Sequence, residues 1–208
     1  YERLRHAGIE PDDSEEMRLN KSLLMLATGL VSVAIMLWVT IYSILGPQFS
    51  ATLPFAFQIL LAGNMLFYIK SRNFDFFRVS QLGLFLFLPF VALWAGGTII
   101  STSGVMLWAL LAPVGAILCI GVNQSVGWFI AWVTLTALSG AVDFYLADSV
   151  VMPRSNVPIR TTIFFFALNF ISVSSIIYAL LRLSIAEKRK VQLSLEEAHK
   201  QVKIEQDR

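Results

Sequence analysis

Asp143, Asp148 and Arg160 sit where a membrane-spanning chain rarely keeps charge. Asp143 falls about one turn inside the end of the apolar stretch Ser125–Ala147, and Arg160 opens the next, Ile159–Leu181. Asp148 and Arg154 lie in the connection between them, beside Pro153 and Pro158. Ionisable groups at membrane depth are costly and usually functional, but near an interface long side chains snorkel and the cost falls. Residues of these types offer recognition rather than bond-breaking. One reading is an Asp143–Arg160 ion pair across a helical hairpin. The other is a sensing site for a cation or small ligand, built from Asp143, Asp148 and Arg160. The spacing alone leaves both open.

Other chemistry is sparse. The two histidines, His6 and His199, both fall outside the apolar stretches, which excludes a bis-histidine haem within the membrane. Cys119 is the single cysteine, so no intrachain disulfide can form. No Gly-rich phosphate loop, His/Cys metal spacing or nucleophile elbow occurs, and no lysine of the retinal-binding kind lies within an apolar stretch. The segment is therefore expected to hold no catalytic residue, no metal and no cofactor.

The elements that must position the charged residues are helices. Hydrophobic residues make up 56% of the chain and charged ones 14%, a balance that places it in a bilayer. Six spans are expected: Ser22–Leu45, Ala51–Ile69, Val79–Ala95, Gly104–Gly121, Ser125–Ala147 and Ile159–Leu181. The third and fourth are short for the purpose. Ahead of them, residues 1–21 read as a polar lead-in with a helix start, Asp13 capping and Glu16 completing a box-like pattern. A charged stretch before a full-length first span argues against a cleavable signal peptide. Arg18, Lys21, Lys70, Arg72, Arg78, Arg182, Lys188, Arg189 and Lys190 fall on one side if both termini are cytoplasmic. Basic residues at membrane edges serve topology, so nucleic acid is not an expected partner.

The sixth span does not stop at the membrane. No Gly or Pro occurs from Ile159 to Arg208, so nothing breaks the helix. Leu181, Ser184, Lys188, Val191, Leu195, Ala198 and Val202 alternate at spacings of three and four, the pattern of a coiled-coil seam with two weak polar members. Glu196 and Lys200 are placed to pair one turn apart. Ser172, Ser175 and Ala179 make a small-residue face suited to close helix packing. Pro54, Pro89 and Pro113 fall inside spans, as kinks or as openers of a cavity. Gln58, Asn64 and Asn169 are read as packing or dimer contacts first and ligand contacts second. The fold class is thus all-α: a six-helix membrane bundle (22–181) whose last helix continues into the cytosol as a dimeric coiled coil (182–208).

Three segments carry a resemblance. The run Ser103-Gly104-Val105-Met106-Leu107-Trp108-Ala109-Leu110-Leu111-Ala112-Pro113-Val114-Gly115-Ala116, the charged helix with Glu187-Lys188-Arg189-Lys190 and Leu195-Glu196-Glu197-Ala198, and the lead-in from Ala7 to Lys21 resemble the membrane anchors of bacterial class III adenylate/guanylate cyclases. The resemblance is one of pattern across nearly the whole chain. It implies a multi-pass protein of the bacterial inner membrane, a homodimer, and a cytosolic catalytic domain converting ATP to cyclic AMP with Mg or Mn. That domain's catalytic residues have no counterpart here, so none is carried over. A small ligand at the outer face, the bilayer and a second copy are the expected partners. A histidine-kinase sensor and a small transporter remain alternatives, the former because sensor kinases also follow such a helix.

Overall fold

The computed structural model describes residues 12–45, 52–146 and 158–206, and these are helical, with no strand among them. In chain order the helices are α1 (Glu15–Leu45), α2 (Thr52–Ser71), α3 (Phe74–Gly96), α4 (Leu111–Cys119), α5 (Val122–Leu146) and α6 (Ile159–Gln206), with a 3₁₀ turn, Val105–Leu110, leading into α4. Five of them are long and apolar enough to cross a membrane: α1, α2, α3, α5 and α6. The fourth expected span, Gly104–Gly121, is represented by a shorter apolar stretch, Val105–Cys119.

That departure has a local cause. Pro113 lacks an N–H and its ring would clash with the Ala109 carbonyl, so it sits most easily in the first turn of an α-helix, although α3 carries Pro89 in its interior. The chain obeys: α4 starts at Leu111, and the six residues before it wind as 3₁₀. The stretch Val105–Cys119 rises about 25 Å, short of the roughly 30 Å hydrocarbon layer. The third span departs the other way. Phe74–Arg78, which the expected third span Val79–Ala95 leaves out, form the start of α3, because Asn73 in an extended conformation accepts the Phe76 N–H on its side chain at 3.0 Å. The hairpin from α2 is therefore tight, with Arg72 in the left-handed region at φ 57°.

At the start of α1 the cap is Ser14, not Asp13. Ser14 Oγ accepts the Met17 N–H at 3.2 Å and its carbonyl takes the Arg18 N–H at 2.9 Å. Asp13 turns back along the helix to Lys21 instead, with Nζ 2.7 Å from its carboxylate. α1 then runs unbroken through the polar lead-in and the first span.

α1 and α3 form the centre. Every residue from Lys21 to Thr28 is buried, so α1 is surrounded on all sides over two turns. Leu82, Phe90 and Leu93 of α3 and Ala112 and Ala116 of α4 belong to the same core, α3 packing chiefly on the 3₁₀ turn, α2 and α4. α2 and α5 are peripheral: 11% of the most apolar window of each is buried, against 39% in α1 and 44% in α3. Their outward faces carry Phe55, Leu66, Phe129 and Leu138, which suits lipid. α6 packs on α1, the 3₁₀ turn and α4, burying Phe165, Asn169, Val173, Ile176, Leu180 and Ser184, a stripe stepping by four and three residues.

Candidate functional site

The bundle has two differently built ends. The basic end gathers the start of α1, the α2–α3 hairpin and the end of α4. Lys21 is 4% exposed, paired to Asp13, and stands 5.9 Å from the Phe74 ring. Arg78 covers the same ring at 5.7 Å, pairs with Asp75 at 2.9 Å and donates to the Cys119 carbonyl at 3.3 Å. The Cys119 thiol donates to the Asn20 carbonyl at 3.6 Å. One aromatic ring between two cations thus ties three helices together.

The far end is held by neutral groups and one carboxylate. After α3 stops at Gly96, the chain makes a compact turn in which the Thr98 N–H donates to Ser101 Oγ at 2.7 Å and the Ser101 N–H donates back to Thr98 Oγ1 at 3.0 Å. Asp143, near the end of α5, accepts the Ile99 N–H at 2.6 Å. Trp94 donates to Ser139 of α5 at 3.1 Å. The chain then dips inward. Ser103 and Gly104 take positive φ, and the Ser103 carbonyl accepts from Asn169 Nδ2 at 2.9 Å. Asn169 Oδ1 in turn accepts the Trp108 indole N–H at 2.9 Å. Asn169 lies ten residues beyond Ile159, about 15 Å along α6. Non-helical backbone at that depth persists only where protein satisfies it, and this amide does so.

Beside the dip lies a cavity of about 110 Å³ between α1, α2, α3, the 3₁₀ turn and α6. Trp38, Tyr42, Pro54, Pro89, Thr102 and Asn169 are among its walls. Pro54 and Pro89 therefore do border a cavity. Pro113 is packed in the core.

The residues singled out in sequence are scattered by comparison. Asp143 is engaged by the Ile99 N–H and does not pair with Arg160, which is exposed. Asp148 lies outside the described residues. Asn169, read chiefly as packing, is the junction of the far end. Gln81 was missed: it is fully buried in α3 and accepts from Asn64 of α2 at 2.7 Å. A glutamine within an apolar run, seventeen residues after an asparagine across a tight hairpin, was the available signal. Along the seam, Ser184 is buried within the single chain, Leu181 and Lys188 are exposed, and Val191 is half-buried. The side chains of Leu195, Ala198 and Val202 lie outside the described residues. Among the described residues no three His, Cys, Asp or Glu side chains converge as a metal site. Compared with known protein families, curated proteins and solved structures, the chain finds no match.

Proposed function

We propose that the chain is the membrane anchor and sensor of a larger signalling protein, and that α6 carries state changes from the bundle to a cytosolic effector. The observation that carries this reading is α6 itself. It is one helix of 48 residues, about 72 Å long, which packs in the bundle from Phe165 to Ser184, lies beside the start of α1 as far as Ser194 and continues to Gln206. A helix that rigid transmits rotation or shift rather than absorbing it. The basic residues gathered at one end support both termini being cytoplasmic and the membrane being a bacterial inner membrane.

The effector is a class III adenylate cyclase domain, on the likeness of the 103–116 run and the charged helix to that family's anchors. Two such domains must meet to form active sites, so the working unit is a homodimer. Its α6 helices pair as a coiled coil beyond the bundle, where Val191, Leu195, Ala198 and Val202 continue the seam. Mg or Mn and ATP belong to that catalytic domain.

Insertions between Ile185 and Lys188 of the full-length protein test this. One residue turns the rod by about 100° and is expected to change cyclic AMP formation strongly, whereas a full heptad restores most of it. Two glycines weaken the helix by about 1 kcal/mol each and uncouple the halves. Equal activity across all three would reduce the chain to a passive tether. Autophosphorylation in place of cyclic AMP would assign the effector to a histidine kinase, and solute transport by the chain alone would retire the sensor reading.

A further inference from the structure

The far-end cavity is shaped for a ligand of one chemical kind. We infer that it binds a neutral amphiphile, an unbranched or aromatic apolar body with one hydroxyl or carbonyl, which hydrogen-bonds to Asn169.

Three features point there. First, size: about 110 Å³ approaches the roughly 150 Å³ at which an apolar protein cavity takes up benzene, so the body or chain end of a small amphiphile fits. Second, among the described residues the walls carry no Asp, Glu, Lys, Arg or His. A carboxylate or ammonium placed there would be desolvated with no counter-charge, so the ligand must be neutral. Third, the amide of Asn169 has capacity left. Its oxygen has two lone pairs and accepts from Trp108, and its nitrogen has two hydrogens and donates one to Ser103. One donor and one acceptor remain on a side chain that is 4% exposed and borders the cavity. A hydroxyl satisfies both and a carbonyl satisfies the donor.

The position also couples such a ligand to the rest of the chain. Asn169 belongs to α6, Trp108 to the 3₁₀ turn, and Thr102 to the dipping segment. A molecule seated among them touches three bodies that one amide holds in register. Its effect on output rests on the sensor reading above, but its binding does not.

The test uses the 208-residue chain in lipid nanodiscs and a diazirine derivative of octan-1-ol as photoaffinity probe. Labelling is expected to saturate and to map to cavity-wall residues such as Trp38, Thr102 and Trp108. Octan-1-ol should compete about ten-fold better than octanoate above the carboxylate range, a ratio equal to roughly 1.4 kcal/mol. Ala92, also in the wall, becomes the plug: Ala92→Phe should abolish the saturable component while unsaturable labelling of lipid-facing Val33 and Phe129 persists. Saturation confined to lipid-facing residues would overturn the inference, and so would equal competition by octanoate in the unaltered chain, whatever the fate of the variant. Failure here leaves the phase dependence of α6 standing, whereas binding without phase dependence removes the sensor reading alone.

Discussion

The two ends of the bundle solve the same problem with different materials. At the basic end one charge pair is buried, Lys21 on Asp13, and a second, Arg78 with the largely exposed Asp75, lies at the surface, with the Phe74 ring between the two cations. At the far end one asparagine and one aspartate hold a dipping segment by three hydrogen bonds, beside open space. A buried charge tolerates no rearrangement without large cost, while a neutral amide with spare valence can exchange partners. On the proposed sensor reading, the basic end is the fulcrum and the far end the adjustable part. α6 runs past both, buried along one stripe against α1, the 3₁₀ turn and α4.

The comparison breaks most visibly at Lys21. Lys21→Met removes the ammonium that sits 2.7 Å from the Asp13 carboxylate, itself 10% exposed. Removing one partner of a buried pair costs about 3 kcal/mol or more. Thermal unfolding in mild detergent should report a large loss, and Asp13→Asn added to it should recover a good part. A loss below about 1 kcal/mol would mean that solvent screens the pair and that the fulcrum is made of packing alone.

Asn169→Leu comes next. The substitution orphans the Trp108 indole N–H and the Ser103 carbonyl, both far from water, at about 1–3 kcal/mol for each group left unsatisfied. The loss should appear locally first. Proteolysis within residues 97–104 is expected to rise before the helices unfold, because the amide is what holds non-helical backbone at depth. Unchanged proteolysis with a lowered global midpoint would make Asn169 a packing residue only.

How much of this was legible in the residues follows the same division. Apolar runs and their lengths specify four spans closely, since a helix that must satisfy its own backbone leaves little choice in lipid. The 3₁₀ turn before α4 was only half legible: Pro113 disfavours an α-helix through Gly104, yet Pro89 sits inside the unbroken α3. The start of α3 was hidden because Asn73 is an ordinary turn residue until its φ and ψ are known. The site was less legible still. Charge drew attention to Asp143, Asp148 and Arg160, but partners across the bundle lie tens of residues apart: Ile99 to Asp143, Trp108 to Asn169. No spacing rule links such positions, so a neutral amide that organises one end resembles any other buried amide in the sequence.

A milder change separates two views of Asp143. If its carboxylate serves chiefly as the acceptor for the Ile99 N–H, Asp143→Asn keeps an acceptor and Asp143→Ala does not. The first should shift stability by less than about 1 kcal/mol and the second by about 1.5–3 kcal/mol, the range for a hydrogen bond to a charged group. Equal losses in both would show that the charge itself matters and would return Asp143 to the candidates for cation sensing.

The smallest expected effect is at Arg160, and it decides between the hairpin ion pair and the observed geometry. Arg160 is the second residue of α6, exposed, and Asp143 faces the backbone of another segment. An exposed cation at the first turn of a helix also opposes the positive end of the helix dipole, so neutralising it relieves a little strain. Arg160→Gln is therefore expected to change stability by no more than about 0.5 kcal/mol. Combined with Asp143→Asn in a double-mutant cycle, the two changes should add within about 0.5 kcal/mol, as sites without shared partners do. A coupling clearly above that would place the two side chains against each other in the bilayer. The Ile99 N–H would then lack its acceptor, and the far end would be held by charge after all, like the basic end.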